Sequence, residues 1–160
     1  MLKSFKRLIK FLYLKVVRIH DTPQRVSLGL ALGVFLGLLP GSGPIAAITL
    51  AIVFKVNRLS ALVGSLATNT WLSIITLLPA IKLGSAILKL SWVEVYRDWV
   101  LFLSNFHWSG LVKLSIYKII LPVVLGYVTI GLLLALIVYL VTISILIRQK
   151  YGIKDRGNIP

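Results

Sequence analysis

Residues 26–54 read VSLGLALGVFLGLLPGSGPIAAITLAIVF, twenty-nine residues without a charge, broken at the centre by Pro40-Gly41-Ser42-Gly43-Pro44. The run as a whole is long enough to cross a bilayer, yet neither half is. As helix, residues 26–39 would reach about 21 Å and residues 45–54 about 15 Å, against roughly 30 Å of hydrocarbon. Two prolines around Gly-Ser-Gly cannot continue a helix: proline lacks the N–H donor and clashes with the preceding turn, and glycine adds an entropic cost. The segment is therefore either a sharply kinked span or a re-entrant hairpin that leaves by the face it entered. Irregular backbone at that depth survives only where protein covers it or where it lines a polar cavity. The break is a candidate site.

Composition sets the class. The chain has 160 residues, 58% of them hydrophobic, and a mean hydropathy of +0.96. Two further uncharged runs, 59–81 and 119–147, exceed the length of about 18 apolar residues at which a transmembrane helix is read. A net charge of +14 would suggest nucleic acid in a soluble domain. Here 7 of the 18 basic residues fall within the first 25 positions, and Arg148, Lys150, Lys154 and Arg156 follow the last run. Basic residues hugging span ends are the positive-inside pattern, reinforced by attraction to anionic lipid of about 1 kcal/mol per residue. The expected partners are membrane lipids, not nucleic acid. Cysteine is absent, which excludes disulfides, thiolate chemistry and cysteine metal sites. His20 and His107 lie far apart, the four acids are scattered, and no nucleophile elbow or Walker-type phosphate loop occurs. No enzymatic activity, metal or cofactor is expected. Lys10 and Lys15 interrupt the first apolar stretch, so no cleavable signal peptide is expected either.

Along the chain, residues 2–19 (LKSFKRLIKFLYLKVVRI) set Lys3, Lys6, Arg7 and Lys10 at three-to-four spacing, with Lys15 and Arg18 beyond them. Phe5, Leu8, Ile9 and Leu12 take another face. That pattern predicts a basic amphipathic helix over residues 1–21 at the membrane surface. Thr22-Pro23 then starts a new helix, with Thr as N-cap and Pro at the first helical position. Gly29, Gly33 and Gly37 recur every fourth residue, and Ser60, Gly64 and Thr68 repeat that spacing in the next apolar run. The two rows of small residues are predicted to pack on each other, as structure more than as a site. Residues 91–108 (SWVEVYRDWVLFLSNFHW) combine Trp92, Tyr96, Trp99 and Trp108 with Glu94 and Asp98. An aromatic amphipathic helix over residues 91–110 fits the opposite interface. A C-terminal span over residues 111–147 and a basic tail over 148–160 complete the chain.

The expected fold is thus an all-α integral membrane protein. An N-terminal interfacial helix precedes a membrane core of residues 22–90, which holds the re-entrant hairpin 26–54 and the span 59–81. The interfacial helix and the C-terminal span follow. A kinked single span at 26–54 would put Lys55 and Arg58 on the side opposite the C-terminal basic cluster. A re-entrant hairpin puts both, and both termini, in the cytoplasm, and leaves only Lys82 and Lys89 to snorkel. The charge pattern favours the hairpin.

Pro44 at a first helical position makes 45–54 a half-helix whose N-terminus opens at Gly41-Ser42-Gly43. Free N–H groups and about half a positive charge converge at such an end, which suits an anion. Interrupted segments near the midplane are also the best sequence pointer to a transporter's binding site. Asn69-Thr70 lies halfway along 59–81, where an amide and a hydroxyl are expensive without a partner. It either meets the same ligand or caps the hairpin tip. Arg25, Lys55, Asn57 and Arg58 would ring the cytoplasmic mouth. The ligand set expected from these residues is Arg25, Pro40, Gly41, Ser42, Gly43, Pro44, Lys55, Asn57, Arg58, Asn69 and Thr70.

From residue 22 to about residue 88 the chain resembles an uncharacterised bacterial membrane family known as domain of unknown function 2062. The resemblance is carried by Thr22-Pro23, Ala31-Leu32-Gly33-Val34-Phe35 with Gly37, Leu39-Pro40, Asn57, Ala61, Gly64-Ser65, Asn69 and Leu83-Gly84. That family usually reads Asn-Pro where Asn69-Thr70 stands here. The resemblance implies a bacterial inner (plasma) membrane location. Members fused to glycosyltransferase-like domains lean it toward lipid-linked sugar or polyprenyl-phosphate traffic. The resulting expectation is a small multi-pass membrane protein, assembled as a homo-oligomer, that binds an anionic lipid or small anion at a half-helix N-terminus, with translocation as the extension. Its rivals are a non-catalytic scaffold for an envelope-glycan enzyme and an oligomeric ion channel.

Overall fold

Thr22 and Pro23 begin the first helix, α1 (Pro23–Leu38): the Thr22 hydroxyl oxygen accepts the Arg25 N–H at 3.4 Å, and Pro23 sits where no donor is needed. The computed structural model describes residues 21–41, 43–68, 70–104 and 115–156. Apart from Asp21, the surface helix expected over residues 1–21, with Lys3, Lys6, Arg7, Lys10, Lys15 and Arg18, lies outside the described residues, as do Ser42, Asn69 and residues 105–114 and 157–160. The described chain is all-helical.

After Leu38 the backbone turns extended, and Gly41 and Gly43 take φ of 88° and 56°, values that favour glycine. Helix α2 (Gly43–Val53) then runs back. It ends in a Schellman turn: Val56 N–H donates to the Ala51 carbonyl at 3.0 Å and Lys55 N–H to Ile52 at 3.2 Å, with Lys55 at φ 54°. The next N–H, that of Asn57, donates to the Arg25 carbonyl at 3.1 Å, so the chain has come back to where α1 began. The segment is a helical hairpin, not one kinked rod.

Asn57 caps α3 (Arg58–Ala67), its Oδ1 accepting from the Ser60 N–H at 2.8 Å and the Ser60 hydroxyl at 2.9 Å. Helix α3 lies parallel to α1 along the two rows of small residues. A Cβ on Gly29 would meet the Asn57 carbonyl, one on Gly33 the Ala61 carbonyl, and one on Gly37 the Thr68 hydroxyl; Gly64 faces the Leu30 carbonyl in return. Close backbone approach of this kind requires glycine.

Residues 59–81, whose uncharged run reads as a span or a second re-entrant hairpin, do not form one continuous helix. Helix α3 stops at Ala67, and α4 (Thr70–Ile87) leaves at 78° to it. At the end of α3 the Thr68 hydroxyl reaches the carbonyls of Gly64 (3.0 Å) and Val34 (3.2 Å), tying the helix to α1. A second Schellman turn ends α4, with Leu90 N–H on Ser85 (2.9 Å), Lys89 N–H on Ala86 (3.2 Å) and Lys89 at φ 55°. The amphipathic α5 (Trp92–Ser104) and the 42-residue α6 (Ser115–Arg156) follow.

Gly84 against Pro122 and Gly126 against Ala80 let α4 and α6 cross at backbone contact, running antiparallel. Leu38 shares a core with Val123 and Tyr127, and Phe35 lies on Gly131, so α6 also runs antiparallel to α1. Arg25, Asn57 and the C-terminal end of α6 therefore share one end of the molecule. The hairpin tip is level with Tyr127. Within α6, Tyr117–Gln149 is long and apolar enough to cross a membrane. The pair Arg58–Ala67 and Leu72–Ile87 passes the same test only if counted as one bent element. Of the two transmembrane helices expected from sequence, one is matched by a continuous helix of sufficient length and the other by a pair bent at a break.

Candidate functional site: two cavities at opposite ends of the hairpin

The residues expected to form one ligand set fall into two groups. Fifteen residues separate Arg25 from Pro40 along the chain, which is about 22 Å of helical rise. At the tip, Pro40, Gly41, Gly43 and Pro44 line a cavity of about 560 Å³ together with Gly37, Ser65, Leu66, Thr68, Ser73, Ile74, Leu77, Trp99, Leu103 and Tyr127. Both helix breaks, after α1 and after α3, open onto this space. At the other end, Arg25, Lys55, Asn57 and Arg58 line a second cavity of about 480 Å³ with Asp21, Ala51 and Ile52.

The tip cavity is mostly apolar, and the hydroxyls in its wall are engaged. Ser73 donates to the Leu38 carbonyl at 2.7 Å, Tyr127 to the Ser73 carbonyl at 2.6 Å, and Ser65 to the Leu62 carbonyl at 2.9 Å. Of these bonds, the one from Ser73 satisfies the Leu38 carbonyl, which the end of α1 leaves without an intrahelical partner. The Trp99 indole N–H is buried without a partner among the described residues. No cation lines this cavity among the described residues. Gly41 and Gly43 have open space where a Cβ would stand, so they are needed for their positive φ and not for room. Thr70 opens α4 beside this break.

At the basic end, Asp21 lies 3.6 Å from Arg25 and accepts from the Asn57 side-chain N–H at 3.0 Å. Asn57 is only 4% exposed, and its amide is engaged by Asp21 and Ser60. It acts as a latch between hairpin and α3 more than as a ligand-binding group. Lys55 and Arg58 have no acidic partner among the described residues. At the opposite end, Lys82 Nζ stands 4.7 Å from the Trp92 ring centroid and Arg97 lies 3.7 Å from Asp98, while Lys89 and Lys118 have no acidic partner among the described residues.

Sequence reasoning missed Ser65, Ser73, Trp99 and Tyr127 at the tip. The available signal was polar or amphipathic residues inside apolar runs, which read as ordinary interruptions until the fold brings four helices to one point. Among the described residues, no group of three or more His, Cys, Asp or Glu could hold a metal.

A family model described as "Uncharacterized protein conserved in bacteria (DUF2062)" matches residues 6–152, well beyond the stretch 22–88 on which the sequence resemblance rests. No curated protein and no solved structure matches the chain.

Proposed function

The chain belongs to the bacterial family DUF2062, uncharacterized proteins conserved in bacteria, and from its geometry we propose an integral inner-membrane protein that binds an anionic lipid of the polyprenyl-phosphate kind and carries it between leaflets. The observation that carries this reading is the level of the hairpin tip. It adjoins Tyr127, about 12 Å inside the nearer end of the uncharged run 119–147 and about 30 Å from the other. With α6 across the bilayer, two helix breaks and a cavity of about 560 Å³ fall within the hydrocarbon, where irregular backbone needs cover or a ligand.

In this topology α1 and α2 enter and leave by the cytoplasmic face, α3 with α4 crosses as one bent element, and α6 returns. Both termini are cytoplasmic. The half-helix α2 directs its N-terminal end at the tip cavity, and the apolar wall accommodates hydrocarbon. The protein binds and moves its ligand without transforming it. Buried side chains make up only 11% of the most apolar window of α6, and the remaining face suits lipid and further copies of the chain in a homo-oligomer.

Lipids co-purifying with the protein, identified by mass spectrometry, test the reading. Phosphate-bearing lipid should be enriched over the bulk membrane. Leu66→Trp and Ile74→Trp, both exposed residues in the tip-cavity wall, should fill the cavity and remove that enrichment while leaving the fold intact. Equal lipid profiles for wild type and both variants would overturn it.

A further inference from the structure

The second cavity lies at the basic end of the hairpin. Three cations, Arg25, Lys55 and Arg58, line one concave space with a single carboxylate. That carboxylate, Asp21, is held in place by Asn57 while it faces Arg25. Lys55 occupies a left-handed position that glycine would fill without strain. Lys55 and Arg58 project from adjoining helix ends, and Arg25 can present its planar fork to two oxygens once Asp21 is displaced.

We propose that this cavity is a phosphate-monoester site with a built-in competitor. Arg58 and Lys55 bind the dianion, and Arg25 exchanges its Asp21 partner for a phosphate oxygen. Asp21, anchored on Asn57, weakens binding and lets the ligand leave. The site lies at the end of the hairpin where a lipid headgroup would enter; it rests on the lipid-binding reading for the source of the phosphate and not for the chemistry.

The experiment has two arms. Purified protein in neutral detergent is titrated with inorganic phosphate, and protein in phosphatidylcholine nanodiscs is compared with and without phosphatidic acid. Arg58→Gln and Lys55→Gln should each weaken binding about tenfold, the loss of one charge-assisted contact. Asp21→Asn should tighten it, and Lys118→Gln, an equal charge change elsewhere, should leave it unchanged. Lys55→Gly separates recognition from folding: it should raise the melting temperature by relieving the left-handed strain while weakening binding. Lys89→Gly should raise the melting temperature and spare binding. Binding in both arms with this pattern identifies phosphate itself as the ligand, and binding only to phosphatidic acid identifies a headgroup; either supports the site. Binding of inorganic phosphate with none of phosphatidic acid would keep the site and remove the lipid reading. Unchanged or weaker binding in Asp21→Asn, or an equal loss in Lys118→Gln, would overturn the site.

Discussion

Gly33 is where α1 and α3 come closest, since a Cβ there would collide with the Ala61 carbonyl and the Ser65 N–H. Neither partner is a flexible side chain that could move aside. Gly33→Ala should therefore cost about 1–3 kcal/mol, the range for overpacking a well-filled interface. A lowered melting temperature in detergent would register it. Ser85 carries the opposite expectation. Its hydroxyl is buried and has no partner among the described residues, so Ser85→Ala should leave stability unchanged or raise it. The glycine row was legible because a spacing of four has one geometric meaning on a helix. Asn57 was not: in sequence it is a polar residue in a loop. Its contacts with Asp21 and Arg25 exist only because the hairpin closes on itself.

At the scale of elements, the two breaks differ in how they can be read. Pro40 to Pro44 announces itself, because those residues cannot make helix in any surroundings. The bend after α3 has no such marker. Residues 59–81 contain no charge, and composition argues for a continuous span. Thr68, at the end of α3, meets Val34 across the interface as well as Gly64 in its own turn, a tertiary contact that composition does not reveal. Tyr127 ties the bend to α6 through the Ser73 carbonyl at 2.6 Å. Tyr127→Phe should remove that bond, while the Ser73 carbonyl keeps its donor within α4, and cost about 0.5–1.5 kcal/mol, whereas Tyr117→Phe, at an exposed position, should change little. Thermal unfolding of the two variants side by side checks this. Equal effects would mean that the bend is held by packing alone.

For the whole molecule, charge and shape agree with the orientation proposed above. Arg25, Lys55, Arg58 and Arg148 gather at one end, while the aromatic α5 with Glu94 and Asp98 lies toward the other. The cysteine-free chain makes single-cysteine labelling direct. Gln24→Cys should react with a membrane-impermeant maleimide from the cytoplasmic side and Arg97→Cys from the opposite side. Ile45→Cys, at a position 82% exposed beside the tip, should react from neither. Ready labelling at residue 45 would put the tip in water and end the re-entrant topology. One consequence concerns biogenesis. The walls of the tip cavity come from α3, α4, α5 and, last, Tyr127 of α6. The wedge made by α1 and α2 thus emerges from the ribosome long before its lining exists. In the membrane topology proposed above, it would not be released into lipid as it is made, but would wait at the translocon, or under an insertase, until the C-terminal helix arrives to seal it.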